Sequence, residues 1–436
     1  MKYTWYIRSK LAKQLRYTIT MMSLNKIRIL EAVNQLGLGG TEYALQLYSK
    51  FLNKDIFEVT VVGLLNGGER VELIQNEGIE VILLEGDFNK LIPLLQNTDV
   101  VHWHGSGNCS GDADFFEILK LYKPPLVIQT NVFGAFDNSP YYDLIDYDLY
   151  ISKMILIRRM SQDKNLKNQF TDKRKVLPYP VDTDLIHSLK PSEEQIDEFR
   201  RENRLDSYFV AGRIGRPDNN KFDLITLDAF SEFAKKVANT KFLLVGATAE
   251  MKAHADNLGI TSKLLIIENT NDLKKLLLYY KAMDVFIAAS NIGESFGMVI
   301  AEAMTLGTPV VTITTEDRDN AQIELVDNQV SGLVTKRNKK DIAAAVKYLY
   351  SNHSARDRIS ASSKVKIETH YKAQTVVKNL EHLILKHLNR SSASVEVRQI
   401  VLESFSKKMV TDYRRRCLNI FSRPSWIKSV LFLIKN

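Results

Sequence analysis

The segment SNIGESFGMVIAEAM, residues 290–304, decides how the rest of the chain is interpreted. Its first half is a loop with two glycines, and its second half has the composition of a buried helix. Apolar runs at 285–289 and 309–313 flank it, so the pattern is that of a strand, a loop, a helix and a strand. Glu294 and Glu302 lie eight residues apart, and eight helical steps of about 100° predict that both point towards one side.

One of these carboxylates needs a partner. Glu302 is embedded in VIAEAM, where an unpaired charge would be costly to bury. Vicinal hydroxyls of a ribose or a hexose are suitable donors to such a carboxylate. The segment therefore predicts a site for a sugar or a nucleoside.

The same alternation of strands and helices extends outward through most of the chain. It predicts an α/β fold with two doubly wound parallel-sheet domains, each Rossmann-like, that face each other across a cleft. A Pro-containing segment, 176–182, separates the two series of strands, and the pattern after Lys336 is helical. The predicted strands are 27–33, 59–65, 79–84, 99–104 and 126–130, then 208–211, 242–245, 264–267, 285–289 and 309–313.

These patterns predict five regions along the chain. They are an N-terminal extension (1–25), a first Rossmann-like domain (26–180), a second Rossmann-like domain (181–370), a crossover helix (371–389) and a C-terminal extension (390–436).

Composition excludes several classes of protein. With 436 residues, 45% of them hydrophobic and 25% charged, the chain is long enough for two or three globular domains. Its two cysteines cannot form a disulfide framework or a Cys-x-x-Cys zinc site, which favours a reducing compartment. We find neither a membrane-spanning run nor a signal peptide, so we expect a cytoplasmic protein.

The net charge of +8 is unevenly distributed. Residues 1–26 hold six basic and no acidic residues, and residues 390–436 hold ten against three, so the body between them is mildly acidic. This pattern disfavours nucleic acid as a partner and favours peripheral contact of the basic termini with an anionic membrane surface. The alternatives are solvated tails and a C-terminal helix that packs on the body.

Two further segments predict phosphate binding. Gly37-Leu38-Gly39-Gly40 lies between a predicted strand and a predicted helix, whose N-terminal amides attract anions. Neither a G-x-G-x-x-G nor a P-loop sequence occurs, so a dehydrogenase or a P-loop kinase is not favoured. Arg213, Arg216 and Lys221 follow the first strand of the second series, where they could hold a diphosphate.

Together these motifs resemble those of a known family. Glu294 to Glu302, followed by GTPVV at 307–311, resembles the E-x7-E region of the retaining glycosyltransferases of family 4 (glycosyl transferases group 1), which have the GT-B fold. Gly39-Gly40-Thr41-Glu42 is similar to the G-G-x-E loop of that family. The resemblance extends over residues 26–388.

The resemblance implies a nucleoside-diphosphate sugar as donor, bound mainly by the second domain. Glu302 would hold the ribose, Arg213 and Lys221 the diphosphate, and Glu294 the hydroxyls of the donor sugar. His104 would lie at the reactive face of the sugar, and Arg216 could share the role of Lys221. Backbone amides near Gly39, Gly40, Ser295, Phe296 and Gly297 would approach the phosphate and the sugar. The residues implied in catalysis are His104, Glu294, Arg213 and Lys221.

The resemblance also implies transfer with retention of anomeric configuration, without a metal or another cofactor. The acceptor would be a glycan or a lipid-linked glycan, bound by the first domain. The alternatives are a GT-B epimerase or phosphorylase and a catalytically silent scaffold that binds sugar nucleotides. A metal-dependent GT-A enzyme would need a D-x-D motif; four such tripeptides occur, but two series of strands contradict its single nucleotide-binding domain.

Overall fold

A computed structural model describes residues 26–162, 172–390 and 402–421. Its first sheet has seven strands in the order β3-β2-β1-β4-β5-β6-β7. β1 pairs in parallel with β2 and with β4 and is buried along nearly its whole length, as its aliphatic sequence predicts. The strands are β1 (Ile27–Gln35), β2 (Phe57–Asn66), β3 (Glu80–Leu83), β4 (Val100–Gly105), β5 (Leu126–Asn131), β6 (Tyr147–Tyr150) and β7 (Arg174–Val176).

The second sheet has six strands in the order β10-β9-β8-β11-β13-β15, all parallel. A separate two-stranded parallel sheet joins β12 to β14. The strands are β8 (Phe209–Ile214), β9 (Thr240–Val245), β10 (Leu264–Ile267), β11 (Val285–Ala288), β12 (Gly293–Glu294), β13 (Val310–Ile313), β14 (Asp319–Asn320) and β15 (Leu333–Thr335).

Helices connect the strands. In chain order they are α1 (Gly40–Phe51), α2 (Arg70–Gln75), α3 (Leu91–Leu95), α4 (Ala113–Leu121), α5 (Lys153–Gln162), α6 (Thr183–Ser188), α7 (Glu193–Glu202), α8 (Ile225–Ala234), α9 (Ala249–Asn257), α10 (Leu273–Ala282), α11 (Met298–Leu306), α12 (Gln322–Leu325), α13 (Lys339–Ser351), α14 (His353–His370), α15 (Ala373–His387) and α16 (Lys407–Leu418).

The α/β class with two parallel Rossmann-like sheets is confirmed, and each predicted run overlaps a strand. Strands β6, β7 and β15 have three or four residues each, and the sequence pattern did not reveal them. They are too short to show a clear period against their surroundings.

Residue contacts divide the chain into two compact units. Among the described residues, the first holds 26–129, 137–146 and 381–390, and the second holds 130–136, 147–162, 172–380 and 402–421. By these contacts β6 and β7 group with the second unit, although they are the last two strands of the first sheet, within the residues predicted as the first domain. The first unit has an aromatic core, in which the rings of Trp103 and Phe116 meet edge-on at 5.0 Å.

The described part of the C-terminal extension belongs to the second unit. Phe421 is 7% exposed and lies in the core of that unit, with its ring 5.5 Å from that of Tyr348. Helix α16 begins after Ser406, whose hydroxyl accepts the Met409 amide, and its Arg416 forms an ion pair of 2.8 Å with Asp327. Residues 402–421 of the C-terminal extension therefore pack on the second unit.

The basic extension 1–25 and residues 422–436 of the C-terminal extension lie outside the described residues. Within the described ranges, no helix is both long enough and apolar enough to cross a bilayer.

Candidate functional site

The loop that carries Glu294 has a conformation that requires glycine. Gly293 has a φ of +78°, and a Cβ atom there would lie 1.8 Å from the carbonyl oxygen of Asp319. This close approach allows β12 to pair with β14. Gly297, with a φ of +103°, then caps the N-terminus of α11. The loop is thus fixed by backbone contacts, and the free amides at the start of α11 can face an anion.

Glu294 does not lie on the helix that contains Glu302. It lies on β12, and α11 begins at Met298. The helical angle expected between the two carboxylates is therefore wrong, because the first half of the interval is a strand and a turn. The two residues still belong to one site through the contacts described next.

Three of the predicted donor-site residues come together in the second unit. The Lys221 ammonium donates to Glu294 Oε2 at 2.8 Å. Arg213 lies at the end of β8, is 4% exposed, and donates through Nη1 to the Ile214 carbonyl at 2.6 Å. Burial lowers the pKa of Arg213, while the charge of Glu294 opposes this effect. In the described part of the chain, Arg213 Nε has no hydrogen-bond partner.

Glu302 has a hydrogen-bond partner that was not predicted from the sequence. The Tyr280 hydroxyl, on α10, donates to Glu302 Oε2 at 2.9 Å. Burial raises the pKa of Glu302 to about 7, although this hydrogen bond lowers it. Tyr280 is fully buried and also interacts electrostatically with Arg213. Its position on the apolar stripe of α10, three residues after Leu277, was a signal, because a buried tyrosine hydroxyl needs an acceptor.

A cavity of about 440 Å³ opens beside this cluster. Its lining includes three cations from separate segments, Arg158, Lys221 and Arg318. Arg158 forms an ion pair with Asp319, which also accepts the Ser295 hydroxyl at 2.6 Å. Arg216 is exposed and lies outside the lining of this cavity. Arg158 gave no signal in the sequence because it lies within a helix, and Arg318, although it follows the predicted strand 309–313, was not predicted as a site residue.

The glycine loop of the first unit leads directly into α1. Gly39 precedes this helix with a φ of −80°, so it does not need a left-handed backbone. A Cβ atom on Gly39 would instead lie 2.2 Å from the Glu42 carboxylate, which is 8% exposed. The glycine thus makes room for Glu42, and the amides that begin with Gly40 start a helix of twelve residues.

His104 lies in the interior of the first unit. Its Nε2 is 2.7 Å from Glu31 Oε2, and Nδ1 of His102 is 2.9 Å from the same oxygen. Burial lowers the pKa of His104 to about 4. Burial raises the pKa of Glu31, but the charges and hydrogen bonds of the two histidines outweigh it and bring the value to about 2. His104 is therefore neutral at pH 7.

Glu31 was not among the predicted site residues, although a carboxylate within the apolar strand IRILEAV was a visible signal. The register places it directly beside His102. The ligating atoms of Glu31, His102 and His104 lie within 4.8 Å of one another, a spacing that a metal ion could use. Their mutual hydrogen bonds already engage these atoms.

Part of the chain is similar to a known protein family. Residues 195–366 match the family model of glycosyl transferases group 1. A capsular polysaccharide biosynthesis glycosyltransferase, CapM of Staphylococcus aureus, is 27% identical over 206 residues, which are 45% of this chain and 52% of CapM. The matched part thus spans about half the length of this curated relative.

Solved structures match over a larger share of the chain. A glycosyltransferase of Rickettsia africae has a TM-score of 0.69 at 18% identity, over 84% of this chain and all of that chain. HepE of Anabaena, solved in complex with UDP-glucose, has a TM-score of 0.67 at 18% identity, again over 84% of this chain and all of that chain. These likenesses show that the chain has the GT-B fold predicted from its sequence.

Proposed function

We propose that this protein is a retaining glycosyltransferase that moves a sugar from a nucleoside-diphosphate sugar to an acceptor hydroxyl. The observation that carries the proposal is the contact of Lys221 with Glu294, with Arg213 held nearby, at the start of α11. These three residues lie within the matched region, 195–366. Their charges suit a diphosphate joined to a polyol.

The pair of Lys221 and Glu294 suggests how a donor is accepted. Without a ligand, each charge neutralises the other, which offsets the cost of their partial burial. An incoming diphosphate competes for the Lys221 ammonium, and the carboxylate of Glu294 then becomes free to accept hydroxyls of the sugar. Donor binding thus exchanges one ion pair for two sets of contacts.

Arg213 and the amides at the N-terminus of α11 supply the electrostatic part of catalysis. As the bond from the sugar to the β-phosphate breaks, negative charge develops on the phosphate oxygens. Fixed cations and helix amides stabilise that charge in place of a metal ion. The acceptor hydroxyl attacks the anomeric carbon on the face from which the diphosphate departs, so configuration is retained, and the departing phosphate takes the proton.

Glu302 is assigned to the ribose. Its carboxylate, oriented by the Tyr280 hydroxyl, would accept one or both ribose hydroxyls. The raised pKa of about 7 means that ionisation of this group, and with it ribose binding, changes near neutral pH.

Two groups of the first unit complete the proposal. Amides near Gly40 and the neutral imidazole of His104 are proposed to approach the phosphate and the sugar. His104 Nδ1 has no hydrogen-bond partner among the described residues, which leaves it able to bond to a hydroxyl. The His104 side chain is fully covered, so access requires movement of the residues above it.

A screen of ligands tests the donor class. Thermal stability would be measured with UDP-, GDP- and ADP-sugars, with and without EDTA, because selective binding to the native state stabilises it. UDP-sugars come first, since HepE was solved with UDP-glucose. A shift that survives EDTA supports a metal-independent transferase, whereas a shift that EDTA abolishes contradicts the proposed electrostatics.

Product analysis separates transfer from the alternatives. NMR of the anomeric proton after transfer to a glycan acceptor would show retention, while an epimerase would return an altered sugar nucleotide. Tight binding without any turnover would indicate a silent scaffold. We further propose a cell-surface polysaccharide precursor as acceptor, because CapM is named for capsular polysaccharide biosynthesis. We also propose that the protein acts at the cytoplasmic face of the membrane.

A further inference from the structure

The C-terminal helix α16 has one covered side and one exposed side. Its covered side includes Met409 and Cys417, both buried, and Arg416, which is paired with Asp327. Its exposed residues form what we term the outer face: Lys407, Lys408, Thr411, Arg414, Arg415 and Leu418. At about 100° per residue these six positions fall within an arc of about 120°.

The outer face is strongly cationic. Four of its six residues are Lys or Arg, and within the described ranges Lys407, Lys408 and Arg414 have no carboxylate at ion-pairing distance. Arg415 is 3.6 Å from Asp412, which lies at the edge of the arc. Of the other acids that line the cavity beside Lys408, Glu403 is paired with Lys153, Asp327 is paired with Lys366 and Arg416, and Glu324 accepts the Lys153 amide. These cations are therefore available to an external anion.

Apolar side chains accompany the cations. Leu418, on the same arc, is 83% exposed. Val330, 55% exposed, lines a cavity of about 690 Å³ whose lining also includes Lys408 and Arg415. A nucleic acid would use the cations but would gain nothing from exposed aliphatic groups. A lipid surface would use both, with phosphate headgroups at the cations and the aliphatic groups at the interface.

We propose that the outer face of α16 docks the protein on an anionic lipid surface. Helix α16 does not insert its apolar side, because that side packs on the second unit; it approaches the bilayer with its charged side. Docking then depends on attraction to phosphate headgroups and weakens with salt. This proposal is independent of the proposed function, since docking requires neither donor nor acceptor.

The test is co-sedimentation of the full chain with phosphatidylcholine vesicles that contain increasing phosphatidylglycerol. The face variant combines Lys407→Gln, Lys408→Gln and Arg414→Gln. A matched control carries the same charge change at three other exposed lysines of the second unit, through Lys236→Gln, Lys252→Gln and Lys340→Gln. Circular dichroism and thermal melts confirm that both variants fold.

The face variant should lose roughly a hundredfold in partition onto anionic vesicles, while the control should change by less than about threefold. Leu418→Gln should weaken binding further without any change in charge. Equal losses in face variant and control would overturn the proposal, because only net charge would then matter.

Two more measurements distinguish other anionic partners and other segments. A chain that ends at Phe421 keeps α16 complete, so it should retain salt-sensitive vesicle binding, and complete loss of binding would overturn the proposal. A DNA duplex should not compete with vesicles for the outer face. Competition that the face variant abolishes would favour a nucleic-acid site instead.

Discussion

The ionisation of Glu302 offers a quantitative test of the ribose assignment. Burial raises the pKa of this carboxyl to about 7, and only its ionised form is a strong acceptor for ribose hydroxyls. With that pKa, the ionised fraction is about one tenth at pH 6 and about nine tenths at pH 8. The association constant of the nucleoside diphosphate should therefore rise up to about tenfold over this range.

Glu302→Gln is the perturbation that isolates this effect. The amide keeps the shape of the side chain but cannot ionise, so the pH dependence that Glu302 contributes should disappear. At pH 8 the loss of a charge-assisted hydrogen bond should weaken binding by about 1.5–3 kcal/mol, or roughly 10- to 150-fold. Tyr280→Phe should shift the midpoint of the wild-type curve to higher pH, because the Tyr280 hydroxyl lowers the pKa of Glu302.

Isothermal titration calorimetry between pH 6 and pH 8 is the assay. Phosphate groups of the ligand titrate as well, and the Glu302→Gln variant corrects for them because it binds the same ligand. Identical pH slopes in wild type and Glu302→Gln would refute the reasoning, as would unchanged affinity at pH 8.

Protein stability should show the opposite trend with pH. The pKa of Glu302 rises from 4.5 to about 7 on folding, so the native state holds this proton more tightly than the unfolded state. The stability that this proton contributes is present below about pH 4.5 and is lost as pH rises towards 7. Denaturant titrations of wild type and Glu302→Gln across this window would reveal the difference.

Further predictions concern the loop, the cations and the core. Lys221→Met should weaken nucleoside-diphosphate binding by roughly tenfold or more, measured by calorimetry, while Lys252→Met should leave it unchanged; equal effects would remove Lys221 from the site. Gly293→Ala should lower the melting temperature and abolish donor binding, because its Cβ would overlap the Asp319 carbonyl; a variant with unchanged melting and binding would contradict the loop geometry. Phe421→Ala should cost about 3–5 kcal/mol in the free energy of unfolding, measured in urea, and a change below about 1 kcal/mol would show that this ring does not belong to the core.

The architecture was predictable because parallel strands buried on both faces are continuous aliphatic runs. IRILEAV and VFIAA are such runs, and both form central strands. The short strand Leu333–Thr335 and the two-residue pairing of Gly293–Glu294 were not predictable, since their definition depends on a partner distant in sequence.

The site residues divide in the same way, into those that a local pattern predicts and those that depend on a partner distant in sequence. Arg213, Lys221 and Glu294 lie near strand ends or turns, where sequence patterns place ligand contacts, and the structure brings them together. Tyr280 and Glu31 were visible as polar groups within apolar segments, but their partners could not be predicted, because these lie on other elements. His104 was predicted at a ligand from its place at a strand end, and its contact with Glu31 could not be predicted, because it depends on the register of two strands distant in sequence.

The order of segments in the second unit has a consequence for synthesis of the chain. Residues 381–390 belong to the first unit, and the chain then supplies 402–421 to the second, including the buried ring of Phe421. A ribosome delivers these segments last, so during translation the second unit exposes the apolar surface that α16 and Phe421 later cover. We expect nascent chains arrested before residue 402 to need chaperones and to resist protease poorly, and the second unit to become protease-resistant once residue 421 has left the ribosome.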